Sequence, residues 1–270
     1  MKISAHLVAI FLAILGSASV FAQETWRVLD PENTLVIDTS KGRIVLEMRP
    51  DMAPKSVERV KLLTREKIYD GLQFHRVIAH FVAQTGNPNN RDGGGTSHPN
   101  LPPEMKFKHK LGSGEIFASV RSDDASGFLG SVPFQSTPIN DAIRSEKGIL
   151  RAWGAHCPGV AGMGRNEARD SANSEIFFML DSARDLDRDY TVFGRIVVGM
   201  DVLKSIHLGE PPATPDIMKS VRVLVDVPMA QRPKISVMDG AALSAEIEKI
   251  QQQKGANFSI CDIFIPSKVE

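Results

Sequence analysis

The chain of 270 residues has few cysteines, few aromatic residues and no excess of charge of either sign. Lys plus Arg and Asp plus Glu both number 32, so no basic surplus points to nucleic acid as a partner and no acidic run forms a tail. HExxH and GxSxG motifs are absent, and His75, His80 and His98 lack the spacing of a shared metal site. These absences disfavour nucleic-acid binding, metal catalysis and serine hydrolysis.

Residues 1–22 have the pattern of a secretory signal peptide. Lys2 supplies the positive charge, Val8 to Leu15 form an apolar core too short to span a bilayer, and Ala22 is the small residue that precedes cleavage. We expect cleavage after Ala22 and export to the periplasm; an uncleaved anchor is the alternative. No later segment is apolar and long enough for a membrane helix, so we expect no membrane span after signal removal.

The chain has two cysteines, Cys157 and Cys261. An even number in an exported chain favours one disulfide, which would tie the C-terminal segment to the main domain. Two buried free thiols are the alternative, because cysteine is also a common core residue.

Hydrophobic periodicity divides the rest of the chain. Alternation at 34–38 and 43–48 predicts a strand pair, and helical spacing from Pro54 to Glu66 predicts an amphipathic helix. Residues from about 105 to 158 resemble an insertion with short strands, such as a hairpin. Within 229–270, helical spacing at 241–254 and an apolar run at 258–265 predict a helix and a strand. We expect this tail to dock on a monomer; a dimer contact is the alternative.

The segment 74–86, FHRVIAHFVAQTG, places Arg76 and Gln84 on a mostly apolar strand. Arginine is rarely found on such a strand without a partner, because its charge resists burial. A guanidinium beside phenylalanine and glutamine indicates a site that donates hydrogen bonds and does not exchange protons. A surface strand on which Arg76 pairs with a carboxylate is the alternative.

This segment resembles the signature of the cyclophilin family of peptidyl-prolyl isomerases, F-H-R-V/I-I-x-x-F-M/V-x-Q-x-G. Three later segments resemble family motifs in the same order: GVAGMGR at 159–165, SANSEIFF at 171–178 and LDRDYTVFG at 186–194. The resemblance covers residues 34–228, with 105–158 as the insertion. It implies a mainly β fold, a closed eight-stranded antiparallel barrel capped by two helices.

The resemblance also implies cis/trans isomerisation of X-Pro bonds in proline-containing exported polypeptides, without a cofactor or a metal. Arg76 would be the catalytic residue, because its fixed charge and rigid donors suit the prolyl nitrogen of a twisted amide. Phenylalanine, methionine and leucine side chains would form the proline pocket, and the backbone at 164–165 would bind the peptide as an added strand. The implied substrate-binding residues are His75, Phe81, Gln84, Met163, Gly164, Arg165, Glu175, Phe177, Leu186 and Tyr190.

Three residues depart from the family pattern. Glu175 stands where glutamine is usual, and it could either pair with Arg76 or hold its guanidinium in place. Gly164 replaces the usual alanine, and Asp185 replaces a tryptophan, which implies weak cyclosporin binding. With the insertion, these departures keep open a second function, a low-turnover chaperone or binding module on the same scaffold.

Overall fold

The computed structural model describes residues 25–145 and 147–270. The predicted signal peptide and its cleavage after Ala22 lie outside these residues. Within them, no helix combines the length and the apolar character that a membrane crossing requires.

Strands dominate the described chain, which confirms the mainly β class. The helices are α1 (Pro54–Arg65), α2 (Ile139–Ser145), α3 (Met200–Lys204) and α4 (Gly240–Lys254). The strands are β1 (Thr25–Val28), β2 (Thr34–Thr39), β3 (Arg43–Met48), β4 (Arg76–Ile78), β5 (Val82–Thr85), β6 (Phe107–Lys110), β7 (Glu115–Val120), β8 (Ala125–Leu129), β9 (Val132–Ser136), β10 (Ile149–Gly154), β11 (Val160–Met163), β12 (Ile176–Met179), β13 (Val192–Val198), β14 (Met218–Val223), β15 (Ile235–Asp239) and β16 (Ser267–Val269).

Eight of these strands form one curled antiparallel sheet. Their order is β14–β2–β3–β13–β11–β12–β5–β4. Alternate side chains fill the interior, such as Leu35 and Ile37 of β2 and Ile44 and Leu46 of β3, which are fully buried. Helix α1 contacts β14 and β13, and the short α3 contacts β3. The sheet and these two helices correspond to the predicted barrel and its caps.

The barrel is not strictly closed, which corrects the prediction. The outer strands β14 and β4 do not form a continuous ladder: the bridges of Gln73 with Ile217 and of Val77 with Gly209 are isolated, and Gly209 and Ile217 lie in the segment before β14. The segment 207–217 before β14 contains three prolines. Because proline has no N–H donor, this segment cannot extend a regular ladder along β4.

Helix α1 agrees with its prediction. Pro54 occupies the first helical turn, where its missing N–H costs nothing. Val57, Val60 and Leu63 are buried against the sheet, and the helix ends one residue before Glu66, its C-terminal cap.

The insertion is larger than a hairpin. It forms a five-stranded antiparallel sheet of order β6–β10–β9–β8–β7, with α2 against β10. Its buried Phe128, Phe134 and Leu150 belong to the same apolar cluster as Val160 and Phe177 of the barrel. The insertion therefore packs against one face of the barrel sheet, in a cluster separate from the one that fills the barrel interior.

The C-terminal extension packs on the insertion and on the N-terminal strand. Helix α4 contacts β7, while β15 pairs with both β1 and β16. The strand predicted at 258–265 is wrong, because this segment contains a 3-10 turn, Ile260–Asp262, and the strand is β16. Ser259 and Asp262 form a capping box, and these local hydrogen bonds compete with strand formation.

Cys157 and Cys261 form a disulfide, which confirms the pairing favoured by the cysteine count. The bond joins the segment between β10 and β11 to the 3-10 turn of the tail. Because 104 residues separate the two cysteines, the bond closes a long loop of the chain.

A buried arginine links the same parts of the molecule. The guanidinium of Arg195, on β13, donates to the carbonyls of Ser131 in the insertion, Pro158 before β11 and Ile263 in the tail, at 2.9–3.3 Å. Burial lowers the pKa of Arg195 to about 10, so the side chain keeps its charge at neutral pH.

Candidate active site

Four neighbouring strands place the central residues side by side. Arg76 of β4 is opposite Gln84 of β5, and Gln84 is opposite Phe177 of β12. Phe177 in turn is opposite Gly162 of β11. Residues that face each other across antiparallel strands point to the same side of the sheet. The guanidinium, the carboxamide and the aromatic ring therefore form one row.

A chain of hydrogen bonds follows this row. Arg76 Nη1 donates to Gln84 Oε1, and Gln84 Nε2 donates to Glu175 Oε1. Asn87 Nδ2 donates to the second carboxylate oxygen, Glu175 Oε2. Glu175 thus acts on Arg76 through Gln84. Of the two arrangements that the sequence allows for this carboxylate, the structure has the one in which it helps to hold the guanidinium.

Two other carboxylates lie beside Arg76 and were missed in the sequence. Arg76 Nε donates to Glu210 Oε2 at 2.7 Å and lies 3.9 Å from Asp92 Oδ2. Glu210 is 134 residues from Arg76, in the segment before β14, so no local pattern signals the contact. Asp92 carried a weak signal, because it opens the glycine run 93–95 of the loop after β5.

These side chains border a cavity of about 240 Å³. Phe81, Phe177 and Leu186 give it apolar walls, and the Arg76–Gln84 pair gives it a polar edge. This combination is typical of a ligand pocket. Nine of the eleven residues predicted for the site line the cavity: Arg76, Phe81, Gln84, Gly164, Arg165, Glu175, Phe177, Leu186 and Tyr190.

Met163 does not line the cavity, and Val82 does. Met163 is buried in the barrel interior, because Gly162 and Gly164 occupy the alternate positions that face the pocket. Val82 lies two residues before Gln84 on β5, so the two share a face. Side chains alternate between the two faces of a strand, and this alternation in the sequence could have predicted that Val82 lines the cavity and that Met163 does not.

His75 lies next to the cavity and does not line it. Its side chain is buried, and its Nε2 is 3.1 Å from Asp92 Oδ1 and 3.8 Å from Glu175 Oε2. Burial lowers the pKa of His75, against the opposing effect of Asp92. At neutral pH His75 is therefore a neutral imidazole in contact with the carboxylates of Asp92 and Glu175.

The two departures Gly164 and Glu175 are in direct contact. A Cβ atom at position 164 would lie 2.4 Å from Glu175 Oε1 and 2.6 Å from its Cγ. Real Cβ contacts are longer than this, so the carboxylate occupies space that a glycine leaves open. Glycine at 164 and glutamate at 175 therefore depend on each other.

Glu175 titrates near neutral pH. Its pKa is raised to about 7, first because burial disfavours the charged form and also because Asp92 is close. Hydrogen bonds from Gln84 and Asn87 and the charge of Arg76 act in the opposite direction. The charge of the carboxyl that accepts from Gln84 therefore changes in the range of neutral pH.

Aromatic and cationic groups complete the far wall. Phe177 and Tyr190 meet edge to face, with centroids 5.9 Å apart. The guanidinium of Arg165 lies 4.3 Å from the Tyr190 ring centre, and its Nη2 donates to Asp189 at 2.7 Å. These contacts fix Tyr190 at the rim of the cavity.

Three potential metal ligands lie together at this site. His75, Asp92 and Glu175 offer ligand atoms within 4.8 Å of one another. One nitrogen and two carboxylates can chemically hold a divalent ion. In this structure the same atoms are engaged in hydrogen bonds with each other and with Gln84 and Asn87.

Comparison with known proteins gives one consistent result. A family model described as cyclophilin type peptidyl-prolyl cis-trans isomerase/CLD matches residues 34–225. A probable peptidyl-prolyl cis-trans isomerase of Brucella suis is 33% identical over 217 residues, which cover 76% of this chain and 85% of the relative. A peptidyl-prolyl cis-trans isomerase of Schizosaccharomyces pombe is 29% identical over 172 residues, with coverage of 64% and 83%.

A solved structure is similar over nearly the whole chain. The crystal structure of cyclophilin AquaCyp293 from Hirschia baltica superposes with a TM-score of 0.82 at 32% identity. The match covers 90% of this chain and 93% of that protein. The similarity therefore extends beyond the residues 34–225 that the family model matches.

Proposed function

Because this chain belongs to the cyclophilin family and is a peptidyl-prolyl cis-trans isomerase, we propose that it acts on X-Pro bonds of exported proteins and that Arg76 assists the twisting of the prolyl amide. The reaction breaks no covalent bond. Its barrier is the loss of amide resonance, roughly 18–20 kcal/mol. The enzyme therefore has to bind the twisted amide more tightly than either planar form.

Arg76 is the donor that makes this difference. The prolyl nitrogen becomes a hydrogen-bond acceptor only when twisting removes its conjugation, so a donor aimed at it acts mainly in the transition state. The guanidinium is always charged, and Gln84 and Glu210 hold it from two sides. This fixed donor at the edge of an apolar cavity is the observation that carries the proposal.

The cavity accounts for substrate binding. The apolar walls of Phe81, Phe177 and Leu186 suit a proline ring, whose transfer from water is favourable. The backbone of Gly164 and Arg165 continues from the end of β11 along the cavity, where an extended peptide can add as a strand. Proline-containing polypeptides are therefore the proposed partners.

Two features support an exported location. Residues 1–22 have the composition of a signal peptide, and the described chain contains a disulfide, a bond that persists in oxidising compartments. The periplasm is the proposed site of action. The N-terminal residue of the protein recovered from fractionated cells tests this: Gln23 is expected, and an intact Met1 in the cytoplasmic fraction contradicts it.

We also propose that the protein is a monomer. The tail buries Ile260, Ile263 and Ile265 against its own chain, so its apolar face is already covered. Light scattering of the purified protein is expected to give the monomer mass.

The catalytic proposal is tested with a proline-containing peptide in a protease-coupled assay. We expect Arg76→Ala to lower kcat/KM by about 100-fold, because a charge-assisted donor to the transition state is lost. Arg43→Ala is the matched control, since Arg43 is an exposed arginine that pairs with Asp38 away from the cavity. Arg43→Ala should retain wild-type activity.

A full rate in Arg76→Ala would contradict the proposed mechanism. A slow wild-type enzyme that nevertheless suppresses aggregation of unfolded proteins would instead favour the chaperone alternative. The large insertion sheet is the part of the molecule that such a function would use, and Arg76→Ala would then still bind clients.

A further inference from the structure

His156 is a buried titratable residue that the proposed mechanism does not use. It lies between β10 and β11, directly before the disulfide-bonded Cys157, and its side chain is fully buried. His156 does not line the cavity. It contacts two segments that do line it, β12 with Phe177 and the segment 183–190 with Leu186 and Tyr190.

The first contact is with an aromatic wall. The imidazole stacks on Phe177, with ring centroids 6.0 Å apart and planes inclined by 20°. Phe177 lines the cavity and also meets Tyr190 edge to face. A stacked neighbour restricts the orientation of the Phe177 ring. His156 therefore supports this wall without touching the substrate.

The second contact is with the segment 183–190, which carries Leu186 and Tyr190. His156 Nδ1 lies 2.9 Å from Asp187 Oδ1, and the backbone N–H of His156 donates to the same oxygen at 2.9 Å. The N–H of Ala183 donates to the His156 carbonyl at 3.0 Å. His156 therefore holds the segment 183–190 at two residues, Ala183 and Asp187.

The charge state of Asp187 fixes the proton on the ring. Burial alone would favour the neutral carboxyl, but hydrogen bonds from His156 and the charge and hydrogen bond of Arg184 lower the pKa of Asp187. An ionised carboxylate only accepts, so Nδ1 carries the proton. The buried Nε2 has no hydrogen-bond partner among the described residues, so the side chain is oriented by the contact of Nδ1 with Asp187 and by the stack on Phe177.

We propose that His156 is a positioning residue for the prolyl pocket, which holds Phe177 by stacking and Leu186 and Tyr190 through Asp187. The proposal rests on the proposed assignment of this cavity as the prolyl site. Arg76 and Gln84 lie on β4 and β5, outside the segments that His156 contacts. Loss of His156 should therefore weaken substrate binding and leave the donor in place.

Three variants separate the two contacts. His156→Phe keeps an aromatic ring and loses the side-chain N–H that donates to Asp187. His156→Asn keeps an N–H donor near the position of Nδ1 and loses the ring. His156→Ala loses both the ring and the donor. We expect KM to rise about three-fold in each of the first two variants and about ten-fold in His156→Ala, with kcat within about two-fold of wild type. His109→Ala is the matched control, because His109 is a buried histidine paired with Glu115 in the insertion.

The measurement is kcat and KM in the peptide assay. His109→Ala should retain the wild-type KM. An unchanged KM in both His156→Phe and His156→Ala overturns the proposal. A lower kcat at unchanged KM also overturns it, because that is the result of losing folded enzyme. Should Arg76→Ala stay fully active while the His156 variants raise KM, the catalytic proposal fails and the positioning role stands.

Discussion

At the scale of single residues, Arg76 and Glu175 carry opposite charges and yet are separated by Gln84. The carboxamide accepts from the guanidinium and donates to the carboxylate, so its orientation is determined from both ends. Glu210 holds the other side of the guanidinium, whose side chain remains about a quarter exposed, at 26%. Because Gln84 lies between them, the buried carboxylate of Glu175 does not pair directly with the Arg76 guanidinium. Through Gln84, Glu175 still helps to fix the position of that guanidinium.

The activity should depend on pH through Glu175. The pKa of Glu175 is raised to about 7, and its ionised form is the stronger acceptor for Gln84. We expect kcat/KM to rise about two-fold between pH 6 and pH 8, with a midpoint near 7. In Glu175→Gln this rise should disappear. His75, Asp92 and Arg76 also face Glu175, and burial lowers the pKa of His75, so the comparison with Glu175→Gln is what assigns the rise to Glu175.

Stability gives an independent check of the same group. A carboxyl with a higher pKa in the folded than in the unfolded chain binds more protons when folded, so its contribution to stability falls as pH rises from about 4.5 to about 7. The contribution is at most roughly 3 kcal/mol. Urea unfolding of wild type and Glu175→Gln at pH 5 and pH 8 measures it. Equal pH dependence in the two proteins would contradict a raised pKa at Glu175.

At the scale of elements, β11 shows why the two departures from the family pattern belong together. Gly162 of this strand and Gly164, one residue past its end, both face the pocket, and the space above them is filled by Phe177 and Glu175. We expect Gly164→Ala to displace Glu175 from Gln84 and to lower kcat/KM several-fold, a coupling of about 1 kcal/mol. In a Glu175→Ala background the same substitution should be neutral. Equal losses in both backgrounds would show that the two residues are independent.

Element type was predictable where local chemistry and burial agree. Pro54 and the spacing of Val57, Val60 and Leu63 specify α1 without any tertiary information. The run 258–265 is apolar because Ile260, Ile263 and Ile265 are buried, as the inward-facing residues of a strand would be. Burial alone does not set the backbone conformation, and the Ser259–Asp262 capping box sets it as a turn.

At the scale of the whole molecule, the predicted part of the site comes from segments that carry recognisable motifs, and several of these segments are neighbouring strands. Arg76 and Gln84 lie eight residues apart along one hairpin, so alternation and motif suffice to pair them. Glu210 and His156 reach the site from segments that are distant in sequence. Their contacts depend on how the loop before β14 and the insertion pack on the barrel, and periodicity holds no information about that packing.

The final prediction concerns the link between the tail and the pocket. The disulfide Cys157–Cys261 adjoins His156, and the carbonyl of Ile263, the residue after the 3-10 turn that holds Cys261, accepts from the buried Arg195. Because the bond closes a loop of 104 residues, it limits the conformational entropy of the unfolded chain. Its loss should lower the free energy of unfolding by at most about 4–5 kcal/mol. We expect the Cys157→Ser, Cys261→Ser double variant to unfold at a clearly lower guanidinium concentration than the oxidised wild type.

Reductant provides the matched control for this variant. Reduced wild type should unfold near the midpoint of the double variant, and the double variant should not respond to reductant. Because His156 directly precedes Cys157, loss of the disulfide should also affect the pocket. We expect the KM for the proline peptide to rise in the reduced wild type and in the double variant, while kcat stays close to that of the oxidised enzyme. Equal unfolding midpoints with and without the disulfide would show that Arg195 and the apolar contacts hold the tail without help from the covalent bond.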